Sequence, residues 1–211
     1  MIDAPLIRAS NQGRALVLGY LAFSVVYLGS GALHVGRPVA LSPSALDAAI
    51  PFVELTIWPY LTQFALLPAA IVFARDDADR SRTFYAMLVA TSFAAAVFAI
   101  WPTQLERQAA PTAGLTGLAW SVLYFSDTPN NCLPSLHVAL AAIAGGALWR
   151  RRWRAAALLW PALIAFSTLT TKHHIVWDFV GGLVLGAAAW ILTPRLVRHE
   201  RHPPARDALR V

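Results

Sequence analysis

Two clusters of polar residues stand out in an otherwise apolar chain, and both contain side chains that could do chemistry. One is DTPNNCLPSLH at 127–137 and the other is STLTTKHHIVWD at 167–178. Each combines histidine with hydroxyl or carboxylate groups, which are the groups that move protons and bind phosphate. Polar residues at membrane depth are costly unless they are used, so two such clusters meeting at one membrane face would indicate a functional site.

In the first cluster, Pro134 suits the first turn of a helix. Ser135 and His137 would then lie where backbone N–H groups are unpaired and the helix dipole is positive, which favours an anion. Ser135 can donate its hydroxyl to a phosphate oxygen, and His137 can give or take a proton near neutral pH. The alternative is that Ser135 and His137 only cap the helix.

In the second cluster, His174 and Asp178 are four residues apart and share one face of a helix. A carboxylate that bonds one imidazole nitrogen fixes the tautomer and raises the basicity of the other nitrogen. Lys172 is the only lysine in the chain, and a cation beside His174 suits an anionic substrate. The alternatives are a structural His–Asp pair, or a metal site on His173, His174 and Asp178, although adjacent histidine side chains tend to diverge.

The elements that must position these clusters are membrane helices. Of 211 residues, 57% are hydrophobic and 13% are charged, whereas a soluble domain carries about 25% charge. A helix needs about 20 apolar residues to cross a bilayer, and six stretches come close. They are Ala15–Leu33, Trp58–Ala74, Thr83–Trp101, Pro134–Trp149, Ala155–Thr170 and Ile175–Leu192. We therefore predict an all-α, polytopic membrane protein with a six-helix bundle.

We predict one catalytic membrane domain at 15–194, between cytoplasmic tails at 1–14 and 195–211. The first span could be read as a signal peptide, but its apolar run of 19 residues exceeds the usual h-region of about 7–15 residues. The single cysteine, Cys132, excludes an intramolecular disulfide. Small residues in the fourth and sixth spans predict that these two helices pack closely. They are Ala141, Ala142, Gly145 and Gly146 in the fourth span, and Gly182 and Gly186 in the sixth.

The basic residues predict the orientation. Of 17 Lys and Arg residues, 14 fall in the tails and in the turns on one side, and only Arg37, Arg107 and Lys172 fall on the other. Positive charge favours the cytoplasm, so both termini should face in and both polar clusters should lie on the outer face, in a bacterium the periplasmic face of the inner membrane. The RRRWR run at 150–154 is then a cytoplasmic turn, and no nucleic-acid partner is expected.

Two outer loops should contain short helices. The 34–57 loop contains SPSALDAAIPF, which suggests an interfacial helix before the second span. The 102–133 loop contains an apolar stretch at Leu115–Phe125 with three aromatic residues. Amphipathic aromatic residues favour the membrane interface, so this stretch should be a helix that lies at the interface.

The chain resembles the type 2 phosphatidic acid phosphatase superfamily. The resemblance rests on PSLH at 134–137 and on a frame in which Ser167 precedes His174 by seven positions and His174 precedes Asp178 by four. The longer stretches DTPNNCLPSLHVA, STLTTKHHIVWDFVGG and IPFVELTIWPYL resemble the branch that contains inositol phosphorylceramide synthases. The resemblance covers about residues 44–190.

The resemblance implies a role for each matching residue. His174 would be the nucleophile and would form a phosphohistidine, and Asp178 would orient it. His137 would protonate the leaving oxygen and later help to activate the acceptor. Ser135 and Ser167 would hold phosphate oxygens. The resemblance implies neither a metal nor another cofactor.

The chain departs from the family pattern in two ways. A motif of Lys, six residues and Arg-Pro is absent, and its nearest counterpart is WPTQLER at 101–107. Thr168 stands where the family usually has Arg. The phosphate clamp would then come from Lys172, Arg107, Ser135 and backbone N–H groups. Both departures favour the head-group transferase branch over a plain phosphatase.

The sequence thus predicts an integral-membrane enzyme that hydrolyses or transfers lipid phosphate esters, with a lipid phosphate as substrate and membrane lipids as its surroundings. The alternative is a non-catalytic transporter or scaffold. A transporter of this size would be expected to show inverted repeats or helices broken near the midplane, and neither is evident. The identity of the lipid and of the acceptor, and the oligomeric state, stay open.

Overall fold

The computed structural model describes residues 2–111, 113–149 and 154–199. These residues are mainly helical. The helices are α1 (Gln12–Ala32), α2 (Ala45–Ala49), α3 (Ile57–Leu61), α4 (Gln63–Val72), α5 (Asp77–Ile100), α6 (Gly114–Ser126), α7 (Leu136–Trp149), α8 (Arg154–Thr170) and α9 (Val176–Leu196). A 3-10 turn at Glu54–Thr56 precedes α3. The predicted turn at 150–154, apart from Arg154, and the predicted tail from residue 200 onward lie outside the described residues.

Within the described part of the chain, four helical stretches are long and apolar enough to cross a membrane: Gln12–Ala32, Glu54–Val72, Asp77–Ile100 and Val176–Leu196. The chain is therefore an integral, polytopic membrane protein. Helices α7 and α8 are apolar but shorter, at about 21 and 26 Å for a rise of 1.5 Å per residue. The predicted second span is a near-continuous helix in three pieces, with Pro68 inside α4, where it removes one backbone donor.

Helix α7 lies at the centre of the bundle, which explains why a helix of 14 residues suffices there. It packs against α4, α5, α8 and α9, and eight of its residues are buried. The core around it is formed by residues such as Phe98, Leu140, Ile143 and Leu185. A helix surrounded by protein does not have to match the bilayer thickness with its own length.

The predicted close packing of the fourth and sixth spans, α7 and α9, is confirmed. A Cβ atom added to Gly182 would lie 2.4 Å from the Ser135 carbonyl oxygen, and one added to Gly186 would lie 2.7 Å from the Ala139 oxygen. Two of the four small residues predicted for the α7 side of this contact face other helices, however. Gly145 faces Ala157 and Pro161 of α8, and Ala141 packs with residues of α4 and α8.

Two pairs of very short parallel strands, which were not predicted, supplement the helices. Strand β1 (Ile2–Ala4) pairs with β4 (Val197–His199), and β2 (Val39–Ala40) pairs with β3 (Thr103–Gln104). The β1–β4 pair joins the segment before α1 to the segment after α9. The β2–β3 pair lies at the opposite end of the bundle, where the loops around the two polar clusters meet.

The two predicted loop helices are present as α2 and α6. Helix α2 begins with a capping box, in which Ser44 Oγ accepts from the Asp47 N–H and Asp47 Oδ2 accepts from the Ser44 N–H. Helix α6 packs against α3 through Trp120, which is fully buried. The indole Nε1 of Trp120 donates to the Glu54 carbonyl oxygen at 3.1 Å.

Candidate active site

The N-terminus of α7 presents the first polar cluster. The helix begins at Leu136, so Pro134 precedes the helix and does not lie in its first turn as predicted. Ser135 is the N-cap, because its carbonyl oxygen accepts the first helical bond from Ala139 and its Oγ accepts from the Val138 N–H at 3.4 Å. Ser135 is fully buried. His137 follows as the second residue of the helix.

The N-terminus of α9 presents the second cluster. Asp178 is fully buried, and its Oδ2 accepts the Ile175 N–H at 3.1 Å and lies 3.3 Å from His174 Nδ1. The backbone N–H of His174 donates to the Thr168 carbonyl oxygen at 3.1 Å. The same carboxylate therefore caps the helix and orients the imidazole, which leaves Nε2 of His174 as the nitrogen that Asp178 does not engage.

The two helix ends are joined and enclose a small cavity. The Ser135 N–H donates to the Asp178 carbonyl oxygen at 3.0 Å. A cavity of about 30 Å³, here called the small cavity, is lined by His137, His174 and, from the sequence prediction, Arg107 and Lys172. Its volume accommodates water-sized groups. The two histidines that come from separate clusters, 37 positions apart in sequence, thus meet at one site.

A second cavity, of about 610 Å³ and here called the large cavity, adjoins the small one. The two cavities share Leu105, Lys172 and His174. Side chains alternate along the segment that follows β3. Gln104, Glu106 and Gln108 line the large cavity, whereas Arg107 lines the small one. His174 is therefore reached from both sides.

Both predicted cations line the small cavity, and both already have partners. Arg107 donates through Nη1 to the Tyr124 carbonyl oxygen, and through Nη2 to the carbonyl oxygen and Oδ2 of Asp127, at 3.0 to 3.3 Å. Lys172 Nζ donates to the Asp47 carbonyl oxygen at 2.7 Å and to that of Ile50. The lysine backbone is in the left-handed region, with φ of 57°.

The predicted phosphate-binding hydroxyls are turned toward the backbone. Ser167 Oγ donates to the Ile164 carbonyl oxygen at 2.6 Å, and Thr168 Oγ1 donates to that of Ala165 at 2.7 Å. Among the described residues that line the two cavities, neither Ser135 nor Ser167 is found. The structure therefore brings His137, His174, Arg107 and Lys172 together and places both serines behind them.

Sequence reasoning missed Asp127 as a site residue. It lines the small cavity, and its Oδ1 accepts from the Tyr27 hydroxyl at 2.5 Å while its Oδ2 pairs with Arg107. Burial raises the pKa of Asp127, against the opposing effects of the Tyr27 hydrogen bond and the Arg107 charge. Asp127 opens the DTPNNCLPSLH stretch, but its partners come from α1 and from the 102–111 segment, which no local spacing indicates.

Sequence reasoning also missed the aromatic contacts of the histidines. The ring of Tyr60 stacks on His137 with centroids 4.2 Å apart, and its hydroxyl lies 3.4 Å from His137 Nδ1, which is long for a hydrogen bond. Tyr60, Trp120 and Tyr124 surround the ring of His173 at 5.3 to 5.5 Å. His173 and His174 are adjacent in sequence, and both line the small cavity.

The polar atoms around the small cavity include several without a partner. Nε2 of His137 is buried and makes no hydrogen bond within the described chain. Cys132, which also lines this cavity, is held as a thiol, because burial raises its pKa to about 12. A cavity with unpaired polar groups is suited to a polar ligand, since such groups cost free energy when left unpaired.

Comparison with known proteins identifies the family. A sequence model of the PAP2 superfamily matches residues 33–192. The chain belongs to the PAP2 superfamily. The match spans α2 to α9 and includes both polar clusters. Membership in the PAP2 superfamily indicates a phosphatase or phosphotransferase that acts on phosphate esters. No curated protein and no solved structure gives a significant match.

Proposed function

We propose that this PAP2 superfamily member is an integral-membrane enzyme that cleaves or transfers lipid phosphate esters through a phosphohistidine at His174, without a metal. The observation that carries the proposal is the pairing at the small cavity. His174 has its Nδ1 engaged by Asp178, and His137 lines the same cavity with a buried Nε2 that has no partner among the described residues. A nucleophile with an orienting carboxylate and a separate proton donor is the arrangement that covalent phosphoryl transfer needs.

In the proposed first step, His174 Nε2 attacks the phosphorus atom and the bond from phosphorus to the leaving oxygen breaks. His137, in its imidazolium form, gives its Nε2 proton to the leaving oxygen and becomes neutral. In the second step, water or an alcohol gives its proton to His137 and attacks the phosphorus, and the bond from phosphorus to His174 breaks. His137 serves as acid and then as base, while Asp178 stabilises His174 as it gains positive charge.

Charge stabilisation in this proposal comes from Arg107 and Lys172, because positioning and charge dominate phosphoryl transfer. Guanidinium has five N–H donors and ammonium has three. The contacts to Tyr124, Asp127, Asp47 and Ile50 leave both cations with unused donors. Ser135 and Ser167, which do not line either cavity as described, would donate their hydroxyls to phosphate oxygens. For that role the Ser167 hydroxyl would have to turn away from Ile164.

We also propose six spans, with α7 and α8 completing the four longer stretches, and a single domain at 15–194. The β1–β4 pair supports an even number of crossings, because it holds residues 2–4 beside residues 197–199. Helix α9 lies between this strand pair and His174. Its 21 residues give a length of about 31 Å at a rise of 1.5 Å per residue, which is close to the thickness of the hydrocarbon core of a bilayer. Because the sequence predicts 14 of 17 basic residues on the side of the tails, we propose that the tails face the cytoplasm and the site faces outward, in a bacterium into the periplasm.

The large cavity favours head-group transfer as the second candidate activity. It adjoins His174, and Gln104, Glu106 and Gln108 give one side of it amide and carboxylate groups. Its volume of about 610 Å³ lies in the usual range for small-molecule sites, about 300–1,000 Å³. An alcohol held there could resolve the phosphohistidine in place of water, as in the inositol phosphorylceramide synthase-like branch.

The test is incubation of the purified full-length protein with phosphatidic acid, with isoprenoid phosphates, and with phosphatidylinositol plus ceramide. Phosphate release and head-group transfer are measured side by side, with and without a chelator. We expect turnover of at least one lipid that the chelator does not reduce. The matched control is His34→Ala, because His34 lies outside both cavities as they are described. Metal-dependent turnover, or lipid movement with no chemical product, would contradict the proposal.

A further inference from the structure

His173 is a histidine of the small cavity to which the proposed mechanism assigns no role, and the sequence offered it only as one ligand of an alternative metal site. It follows Lys172, whose left-handed backbone turns the chain between α8 and α9. Both His173 and His174 line the small cavity. The side chain of His173 therefore reaches the same space as the proposed nucleophile, although consecutive side chains usually point apart.

Three aromatic side chains, one from α3 and two from α6, fix the ring of His173. The ring centroid of Tyr60 lies 5.3 Å away, and those of Trp120 and Tyr124 each lie 5.5 Å away. Trp120 is anchored through its indole N–H to the Glu54 carbonyl oxygen, and Tyr124 through its hydroxyl to that of Gln108. These contacts hold the ring in place without using its nitrogens.

Both ring nitrogens of His173 are buried, and neither has a hydrogen bond of standard geometry to a described residue, although the Thr171 backbone is near enough to act on the ring. Burial, His174 and Arg107 lower the pKa of His173 to about 3, with the Thr171 backbone acting weakly in the opposite direction. The ring is therefore neutral at physiological pH and has one N–H donor and one acceptor nitrogen. A buried ring with both positions unsatisfied is incomplete without a ligand.

The donors that a phosphoryl group requires are otherwise few at this cavity. The hydroxyls of Ser167 and Thr168 donate to carbonyl oxygens of their own helix. Most of the N–H donors of Arg107 and Lys172 are already hydrogen-bonded to protein oxygens. His173 adds an N–H without adding charge, next to the nitrogen that would attack phosphorus.

We propose that His173 is a substrate-contacting residue that donates its ring N–H to a non-bridging oxygen of the phosphoryl group. This inference rests on the proposed function, because it takes a phosphate ester as the ligand bound at His174, where the small and large cavities adjoin. The aromatic ring cage of Tyr60, Trp120 and Tyr124 sets the direction of that N–H. The second ring nitrogen accepts a hydrogen bond from a protonated phosphate oxygen or from water.

The test compares His173→Gln with His173→Met in the full-length protein in detergent. The two side chains are similar in length and flexibility, but only glutamine has an N–H donor. Calorimetry measures the binding of inorganic phosphate, and steady-state kinetics measure KM and kcat for the substrate that the wild type turns over. We expect His173→Met to bind phosphate about 10- to 100-fold more weakly, on the scale of one hydrogen bond to a charged group. His173→Gln should stay within a few-fold of the wild type.

His34→Met is the control, because it makes the same change at a histidine that lies outside both cavities as they are described. Its phosphate affinity should equal that of the wild type. Equal phosphate affinity in His173→Met and in the wild type would overturn the assignment and leave the proposed function standing. A wild type that binds phosphate but turns over no ester would contradict only the proposed function. A wild type that binds no phosphate would overturn the His173 assignment.

Discussion

The two helix ends that meet at the site hold their histidines in different ways. At the start of α9, His174 is bonded through its ring to Asp178 and through its backbone to Thr168. At the start of α7, His137 is held mainly by its stack on Tyr60, and its Nε2 has no partner among the described residues. One imidazole is fixed by directional hydrogen bonds and the other by ring packing.

This difference matches the two proposed roles. A nucleophile gains from a fixed direction and a fixed tautomer, which a carboxylate supplies. A residue that first gives and then takes a proton gains from a nitrogen that no protein group occupies. The hydrogen-bonded histidine is therefore the one that we propose to form the covalent bond.

The largest effect is expected for His174→Ala. Without the nucleophile the covalent route is lost, so turnover should fall to the detection limit. An acid-labile phosphoenzyme should form in the wild type and be missing in the variant. Rapid-quench labelling with a radioactive phosphate ester measures both. His137→Ala is the matched comparison at the other helix end, and a phosphoenzyme that survives in His174→Ala but not in His137→Ala would reverse the assigned roles.

The next effect is expected for Asp178→Asn. The amide oxygen can still accept the Ile175 N–H, so the start of α9 should keep its fold, but the tautomer and charge of His174 are no longer supported. We expect a loss of several orders of magnitude in kcat with a small residual rate. Circular dichroism checks the fold. Activity within tenfold of the wild type would mean that the pair is only structural.

A smaller effect is expected on the α7 side from two changes at Tyr60. Tyr60→Phe keeps the ring that stacks on His137 and should stay within about threefold of the wild-type kcat, because the hydroxyl contact at 3.4 Å is weak. Tyr60→Leu removes the ring and should cost about tenfold, on the scale of an aromatic pair. The two kcat values decide the matter. A greater loss in Tyr60→Phe would show that hydrogen bonding orients both histidines.

The smallest effect concerns pH and His173 on the α9 side. Its folded pKa is about 3, below an unfolded value of about 6.5, so the unfolded chain binds a proton that the folded chain does not. This contribution to stability is present above pH 6.5 and is lost as the pH falls toward 3. The Tm in detergent should therefore fall on acidification. His173→Gln should show a shallower fall, and an identical slope would refute the lowered pKa.

The sequence predicted the parts of the site that lie close together along one helix. His174 and Asp178 are four residues apart, and helical geometry alone brings them to one face. The glycines of α9 predicted a close contact for the same reason. On the α7 side, however, Ala141 and Gly145 were predicted to make this contact and instead face other helices. Periodicity defines a face of a helix but not the neighbour that each face meets.

The sequence could not predict the contacts between distant segments. The partners of Arg107 include Asp127, and those of Lys172 are carbonyl oxygens of Asp47 and Ile50. The role of Tyr60 depends on α3 packing beside α7. Such contacts follow from the packing of whole helices, and no spacing in the chain encodes them. His173 was set aside because adjacent side chains usually diverge, and the left-handed turn before it was not foreseen.

The pairing of β1 with β4 has a consequence for biogenesis. Residues 2–4 are synthesised before their partners at 197–199, which follow only after the described helices α1 to α9 have been made. Strand β1 must therefore stay unpaired while the helices enter the bilayer one after another. Its pairing marks a completed helix bundle. A nascent protein arrested before α9 would leave β1 without its partner strand. Chaperones and proteases can recognise such an unpaired strand edge.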